Sequence, residues 1–177
     1  GSNWSSITDL PNFLTVLGAI SCDPVNPTDC WAGGRLVSAL GISLGAQLYH
    51  NGSLFLVGAL FQFSSISCNS GYCLAAGSLF SYYYSISSTS PLASVMTLSG
   101  LYGNANAAFC AGINNCMLVT SAGWAYYFNG AFQGPYKISN QSLNGIHCPS
   151  TGSCKVVGNN GVIYNCDMPL TGSSSCI

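Results

Sequence analysis

The side chains of this chain best placed to do chemistry are ten cysteines, and they fall into five close pairs: Cys22 and Cys30, Cys68 and Cys73, Cys110 and Cys116, Cys148 and Cys154, Cys166 and Cys176. Thiols in such pairs either oxidise to disulfides or ligate a metal. Structural zinc pairs usually hold two to four residues between their cysteines, whereas four to nine intervene here. Oxidation of each cysteine with its near neighbour is therefore the economical expectation, and it closes five small loops. By the chain-entropy argument each loop contributes roughly 2 to 3 kcal/mol, and the set on the order of 10 kcal/mol, comparable with the net stability of a typical domain. Such a framework persists only in an oxidising compartment, which points to a secreted protein, extracellular or on a cell surface.

Acid–base and nucleophilic chemistry finds little to work with. Asp23 and Asp29 are the one near pair of carboxylates, and a glycosidase needs two facing each other across a cleft. Both lie inside the first cysteine loop, where Asp beside Pro24 and before Cys30 reads as turn chemistry. No ladder of alternating Asp and Asn follows to hold calcium. His50 precedes an Asn-Gly turn and His147 precedes Cys148; no Gly-x-Ser-x-Gly elbow accompanies them. Phosphate loops with a lysine and paired metal-binding histidines are also missing from the sequence. The expectation is a non-enzyme with no catalytic residue, cofactor or metal. Tyr82, Tyr83 and Tyr84, with Trp124, Tyr126, Tyr127 and Phe128, are candidate sugar-stacking platforms, although alternation along a strand sends neighbours to opposite faces and packing explains most such runs. Asn3, Asn51 and Asn140 open glycosylation sequons, while Asn26 is disqualified by Pro27.

Charge is nearly absent. An ordinary globular chain is about 25% charged; this one of 177 residues is 4% charged, with three basic residues, four aspartates and no glutamate. A net charge of −1 provides no nucleic-acid footprint, which needs clustered Lys and Arg, and no polybasic membrane docking. Disorder is excluded by the 49% hydrophobic content, since disordered chains are poor in apolar residues. The longest apolar runs, 13–20 and 54–63, fall short of the roughly 18 to 20 residues that span a bilayer. The opening Gly1-Ser-Asn-Trp4 has neither a charged nor an apolar leader region, so any leader is expected to have been removed.

The elements that must position these residues repeat. First cysteines recur at 22, 68, 110 and 148, a period near 40 residues, which is the size of one small sheet in a repeat architecture. After each pair come short β-rich runs bounded by turns: 47–50 before Asn51-Gly52, 79–84, 124–128 before Asn129-Gly130, and 162–165 after Asn160-Gly161. Asn-Gly accepts the positive φ of a tight hairpin. The runs 13–19 and 54–61 are read as strands from their β-branched and aromatic content. Several short antiparallel strands per unit is the arithmetic of a propeller blade. The expected fold is all-β, a small propeller-like array of about four antiparallel blades in one domain, 1–177, with units 22–67, 68–109, 110–147 and 148–177 plus 1–21. The last unit is short, and Leu14-Thr-Val-Leu-Gly-Ala-Ile-Ser-Cys22 parallels Phe61-Gln-Phe-Ser-Ser-Ile-Ser-Cys68, so the N-terminal strand is expected to complete the last blade, within one molecule or between two.

The segment Ile146-His-Cys-Pro-Ser-Thr-Gly-Ser-Cys-Lys-Val-Val-Gly-Asn-Asn-Gly-Val-Ile163 resembles the cysteine-bearing repeat of secreted sialidase-like and photosystem-assembly-factor-like β-propellers. In that pattern Ser-Cys-Pro, a short loop and a second Cys precede an Ala/Val-Val-Gly strand and a Gly turn. Residues 67–77 and 109–123 match in part and 21–34 loosely, while Gly1-Ser-Asn-Trp4 resembles the end of the family's Asp-box turn. The resemblance implies a propeller over most of the chain and carries no catalytic residue.

The functional expectation is an extracellular structural protein, a self-assembling subunit of a filament, sheath or surface layer, with copies of itself as partner. An uncharged surface offers little repulsion between copies, and few titratable groups make folding nearly indifferent to pH. The alternative is a secreted adhesin or lectin-like propeller that binds a glycan or a protein.

Overall fold

The structure, a computed structural model, describes residues 13–58, 62–78, 80–85, 94–97, 102–150 and 152–177, and only the backbone of 13–14, 55–58, 80–85 and 94–97. It is all-β: the described residues form four antiparallel sheets, each a simple up-and-down meander. The first blade holds β1 (Phe13–Cys22), β2 (Cys30–Ser38), β3 (Ser43–His50) and β4 (Ser53–Gly58). The second holds β5 (Phe63–Asn69), β6 (Tyr72–Gly77), β7 (Phe80–Ser85) and β8 (Ser94–Thr97). The third holds β9 (Ala105–Gly112), β10 (Asn115–Thr120), β11 (Trp124–Phe128) and β12 (Phe132–Lys137). The fourth holds β13 (Leu143–Ser150), β14 (Ser153–Gly158) and β15 (Ile163–Asp167). Helix is confined, among the described residues, to 3₁₀ turns at 159–161 and 173–175 and to Tyr102, and none is long and apolar enough to cross a membrane.

Local chemistry places the turns. Asn51 and Gly52 (φ 49° and 82°) and Ser70 and Gly71 (54° and 80°) take the left-handed conformation that two-residue hairpins demand, and Asn160 and Gly161 (57° and 73°) take it in the longer turn between β14 and β15; Asn and Gly tolerate it best. The disulfides are Cys22–Cys30, Cys68–Cys73, Cys110–Cys116, Cys148–Cys154 and Cys166–Cys176. The first four each staple the opening hairpin of a blade. Their Cα atoms stand 3.9 to 4.1 Å apart, the close approach of directly opposed strand residues.

Two expectations about organisation are corrected. The sheets begin one strand earlier than units counted from the first cysteine, because that cysteine ends the first strand of its blade instead of opening the unit. The described part of the N-terminal segment does not complete the last blade within this chain: β1 pairs with β2 along its length, from Phe13 opposite Ser38 to Cys22 opposite Cys30, and residues 1–12 lie outside the described residues. The outer position of the fourth blade is taken by the chain's own Cys176 and Ile177. Cys176 bridges Cys166, and Ile177 and Asn165 exchange backbone hydrogen bonds of 2.9 and 2.7 Å. A short disulfide loop supplies locally what a distant segment was expected to provide.

Blades stack through unlike faces. Residues directly opposite in antiparallel strands share a face, so the register sorts every side chain. In blade 1, Trp31, Ala46 and Leu48 pack on Phe63, Ile66, Cys68, Cys73 and Ala75 of blade 2. The other face of blade 2, with Leu74 and Ala76, packs on Ala108, Cys110, Cys116, Leu118 and Tyr126 of blade 3. Blade 3 in turn presents Met117, Val119, Ala125 and Tyr127 to Cys148, Cys154, Val156 and Cys166 of blade 4. Each hairpin disulfide of blades 2 to 4 thus lies on the face turned to the preceding blade. First strands lie innermost and touch in the order β1, β5, β9, β13. Among the described residues β13 has no comparable packing on β1.

The glycine that closes the Ala-Ala-Gly and Val-Val-Gly motifs has a steric reason. A Cβ on Gly77 would sit 2.2 Å from the carbonyl oxygen of Gln62, and one on Gly158 would sit 2.3 Å from that of Ser142. The second strand of the blade ends where the incoming chain crosses against its backbone.

Candidate functional site

Of the residues singled out by type, Asp23, Asp29 and His50 come together. They line a cleft of about 460 Å³ with Val25, Asn26, Ser70 and Gly71, where the first disulfide loop meets the β5–β6 turn. The backbone N–H of Asp23 donates to the carbonyl of Asp29 at 2.9 Å, which closes the loop and brings both aspartates to one place. Their roles differ. Asp23 is buried and its carboxylate accepts the N–H groups of Val25 at 2.8 Å and of Gly71 in the next blade. Burial by itself raises its pKa, but the amides of Val25, Gly71, Asn26 and Ser70 together hold it below the ordinary 3.8. A carboxylate so bonded is a lock between blades and carries no proton near neutrality. Asp29 instead bonds His50 Nε2, and the His50 ring stacks on Trp31 with centroids 4.3 Å apart and planes within 9°. Asn51 adds a contact from Nδ2 to His50 at 3.2 Å, while its Oδ1 accepts the Cys30 N–H at 2.8 Å.

The remaining candidates scatter. His147 sits on blade 4, its ring edge-on to Phe109 at 4.9 Å. Trp124 is half-buried, edge-on to Tyr102 at 5.1 Å, with Lys137 Nζ 5.2 Å above its ring; one face of this platform is already covered. Tyr126, Tyr127 and Phe128 are buried in the packing between blades. For Tyr82, Tyr83 and Tyr84 the backbone register puts them across from Ala75, Leu74 and Cys73. Asn140 is exposed, and Asn3 lies outside the described residues. No group of three or more His, Cys, Asp or Glu residues suited to a metal occurs among the described residues.

A feature not anticipated from the sequence is the distribution of exposed apolar side chains. Among the described side chains, exposed large apolar residues concentrate on blade 1 (Val16, Leu17, Ile20, Val25, Leu40, Ile42, Leu44, Leu54) and blade 4 with its tail (Val157, Ile163, Ile177), with Ile113 at a turn of blade 3 as the exception. Second strands show the same contrast. β6 and β10 are buried on both faces after their first residue, whereas β14 alternates, with Lys155 and Val157 exposed. The alternation in Ser-Cys-Lys-Val-Val was readable, but its meaning required seeing that no described blade packs on the outer face of blade 4.

These features define a β-propeller type of protein, and comparison with solved structures agrees. The WD40 propeller domain of Doa1 matches 86% of this chain and 51% of its own at 14% identity and TM-score 0.60. Sqt1 of Chaetomium thermophilum, solved bound to the N-terminus of the ribosomal protein L10, matches 88% of this chain and 46% of its own at 13% identity and TM-score 0.66. The computationally designed Ika4 protein matches 93% of this chain and 97% of its own at 10% identity and TM-score 0.65. The chain thus spans about half the length of the natural propellers it matches. No family model and no curated protein sequence matches it.

Proposed function

We propose that this protein is an extracellular structural protein, a self-assembling subunit of a filament, sheath or surface layer, with a non-enzymatic role. The observation that carries the reading is the concentration of exposed apolar side chains on the first and fourth blades, on a chain with only seven charged residues to keep copies apart. Monomeric soluble proteins rarely expose large contiguous apolar patches. Five disulfides and the resemblance of 146–163 to the cysteine-bearing repeat of secreted sialidase-like and photosystem-assembly-factor-like propellers support secretion. Asn140, exposed, has room for a glycan; Asn51 is folded back on Cys30. The test is negative-stain electron microscopy of native material. Regular fibres, sheets or stacked particles are expected, and a field of single 18.3 kDa molecules at high concentration overturns the proposal.

A second reading is favoured by the 460 Å³ cleft and by Sqt1, whose propeller was solved with a protein N-terminus bound: a binding module for a glycan or protein segment. Saturable binding in a glycan or peptide screen, lost in Asp29→Ala, would establish it over the first.

A further inference from the structure

We propose that the notch between blades 1 and 2 around Arg35 is a binding site for a carboxylate-bearing sugar, distinct from the cleft at Asp29 and resting on neither reading above. The notch is a pocket of about 300 Å³, lined by Gly18, Gly34 and Arg35 of blade 1 and by Gln62, Phe63 and Ser64 where blade 2 begins.

Comparison of the three joints between blades shows why the space is there. In every blade the first strand carries a bulge at the same place, and the bulged residues are Gly18, Ser64, Asn106 and Asn144. Ser64 Oγ donates to the carbonyl of Ala105 across the second joint, and Asn106 Nδ2 donates to that of Leu143 at 2.8 Å across the third. Phe63 is the residue of blade 2 at the place of Ala105 and Leu143. At the first joint the bulged residue is Gly18, which has no side chain to reach across, and an added Cβ would sit 2.8 Å from the Phe63 carbonyl oxygen. A second position departs from the repeat with it. The residues after Gly77 and Thr120 are Ser78 and Ser121, whose hydroxyls accept the N–H groups of Gln62 and Asn104 at 3.4 and 3.0 Å. Asn159, after Gly158, accepts Asn144 Nδ2 at 2.7 Å. In blade 1 this position is Arg35, a side chain with donors and no acceptor. The residues that knit the other joints are replaced here by a glycine and a cation, and a pocket results.

Charge identifies the ligand's anionic group. Arg35 is the one arginine of the chain. It is half-buried, and the only ion pair among the described residues joins His50 and Asp29 instead. Asp23 and Asp29 belong to the disulfide loop at the other end of the same hairpin; Arg35 lies five residues along β2 from Cys30, about 16 Å at the rise of a strand. A guanidinium without a counter-ion in such a notch is matched by a planar carboxylate, which it holds through two parallel hydrogen bonds. The rest of the lining selects what carries the carboxylate. Backbone at Gly18 and Gly34, the exposed Gln62 and the Ser64 hydroxyl offer hydrogen bonds to ring hydroxyls, whereas Phe63 is only 1% exposed and gives little apolar surface for a peptide side chain. The volume of about 300 Å³ is at the small end of ligand sites, which suits one uronic-acid residue of an acidic glycan.

The test is isothermal titration calorimetry of the 177-residue chain at low salt with trigalacturonate, beside its methyl ester, inorganic phosphate and a tripeptide with a free C-terminus. Arg35→Ser installs the residue that blades 2 and 3 carry at this position, and Lys155→Ser, at an exposed site on blade 4, controls for the loss of one positive charge; far-UV circular dichroism checks that both are folded. Wild type and Lys155→Ser are expected to bind trigalacturonate saturably and alike. Affinity is expected to fall by about tenfold to a hundredfold in Arg35→Ser, as for the loss of a hydrogen-bonded charged group, and by a similar factor for the methyl ester on wild type, a comparison that needs no variant. Absence of saturable trigalacturonate binding, or affinity unchanged in Arg35→Ser, overturns the proposal. Phosphate or the tripeptide bound as tightly as trigalacturonate overturns the assignment to a sugar carboxylate. Loss of binding in Asp29→Ala in place of Arg35→Ser puts the ligand in the other cleft and overturns this site while supporting that one. None of these results bears on self-assembly, which electron microscopy decides separately.

Discussion

Ser67 Oγ accepts the backbone N–H of Cys110 at 2.9 Å, across the joint between the second and third blades. One blade earlier, Ser21 Oγ accepts the N–H of Cys68 at 3.0 Å. In each case the serine immediately precedes the first cysteine of its own blade and binds the first cysteine of the next. The hydrogen bond is therefore part of the repeat, and it ties stacked blades in register near the axis. Blade 3 has Phe109 at this place, whose ring meets His147 instead.

Replacing Ser67 by Ala leaves a buried N–H without its acceptor, a loss of about 1 to 3 kcal/mol. For a chain of this length that lowers the melting temperature by roughly 2 to 10 °C. Ser174→Ala, at an exposed position, should move it by less than about 2 °C. Equal shifts in the two variants, read by thermal circular dichroism, would dismiss the inter-blade role.

Gly158→Ala tests the crowding at the end of β14. Its φ of −149° suits any residue, so the loss comes from the carbonyl of Ser142 at 2.3 Å and Val162 at 2.9 Å. A cost of about 1 to 3 kcal/mol is expected for forcing the backbone apart. Gly112→Ala, where an added Cβ meets nothing within 4 Å, is the matched control and should be near neutral in urea denaturation.

Removing the Cys68–Cys73 staple as a double alanine variant should cost about 2 kcal/mol, the loop entropy of a closure this short. The remaining four disulfides should keep their partners in nonreducing peptide maps. Scrambled pairs in the variant would mean that the staples direct the strands, whereas unchanged pairs mean that the strands direct the staples.

Stability should respond to pH only at the extremes. Asp23 titrates lower in the folded chain than its ordinary 3.8; its contribution is present above that value and is lost as pH falls through the folded one. Asp23→Asn should flatten this acid limb while lowering stability at neutrality. On the alkaline side, burial, with Tyr102 nearby, pushes Tyr126 up to about 12. The unfolded tyrosine ionises first, so stability is full below about pH 10 and declines as pH rises toward 12. Tyr126→Phe should reduce that decline. A melting temperature that changes strongly between pH 5 and 9 would overturn the expectation of indifference.

What the sequence determined by itself is whatever acts over a few residues. Cysteines separated by four to nine residues meet across a hairpin because there is little else within their reach, and Asn51-Gly52 and Asn160-Gly161 turn the chain because those residues accept positive φ. The strands and the count of four sheets follow from such local signals and their period. Only the tertiary structure decided how the units meet. Asp23 reads as a turn residue until Gly71, in the next blade, is seen donating to it. The likeness of 14–22 to 61–68 marks two innermost strands of successive blades and not a strand in search of the last blade, whose edge Cys176 and Ile177 already occupy. The exposed Val157 and Ile20 look like any strand residues in the sequence. Their meaning depends on the blade that is or is not stacked beyond them, which is a property of long-range packing and leaves no mark on neighbouring residues.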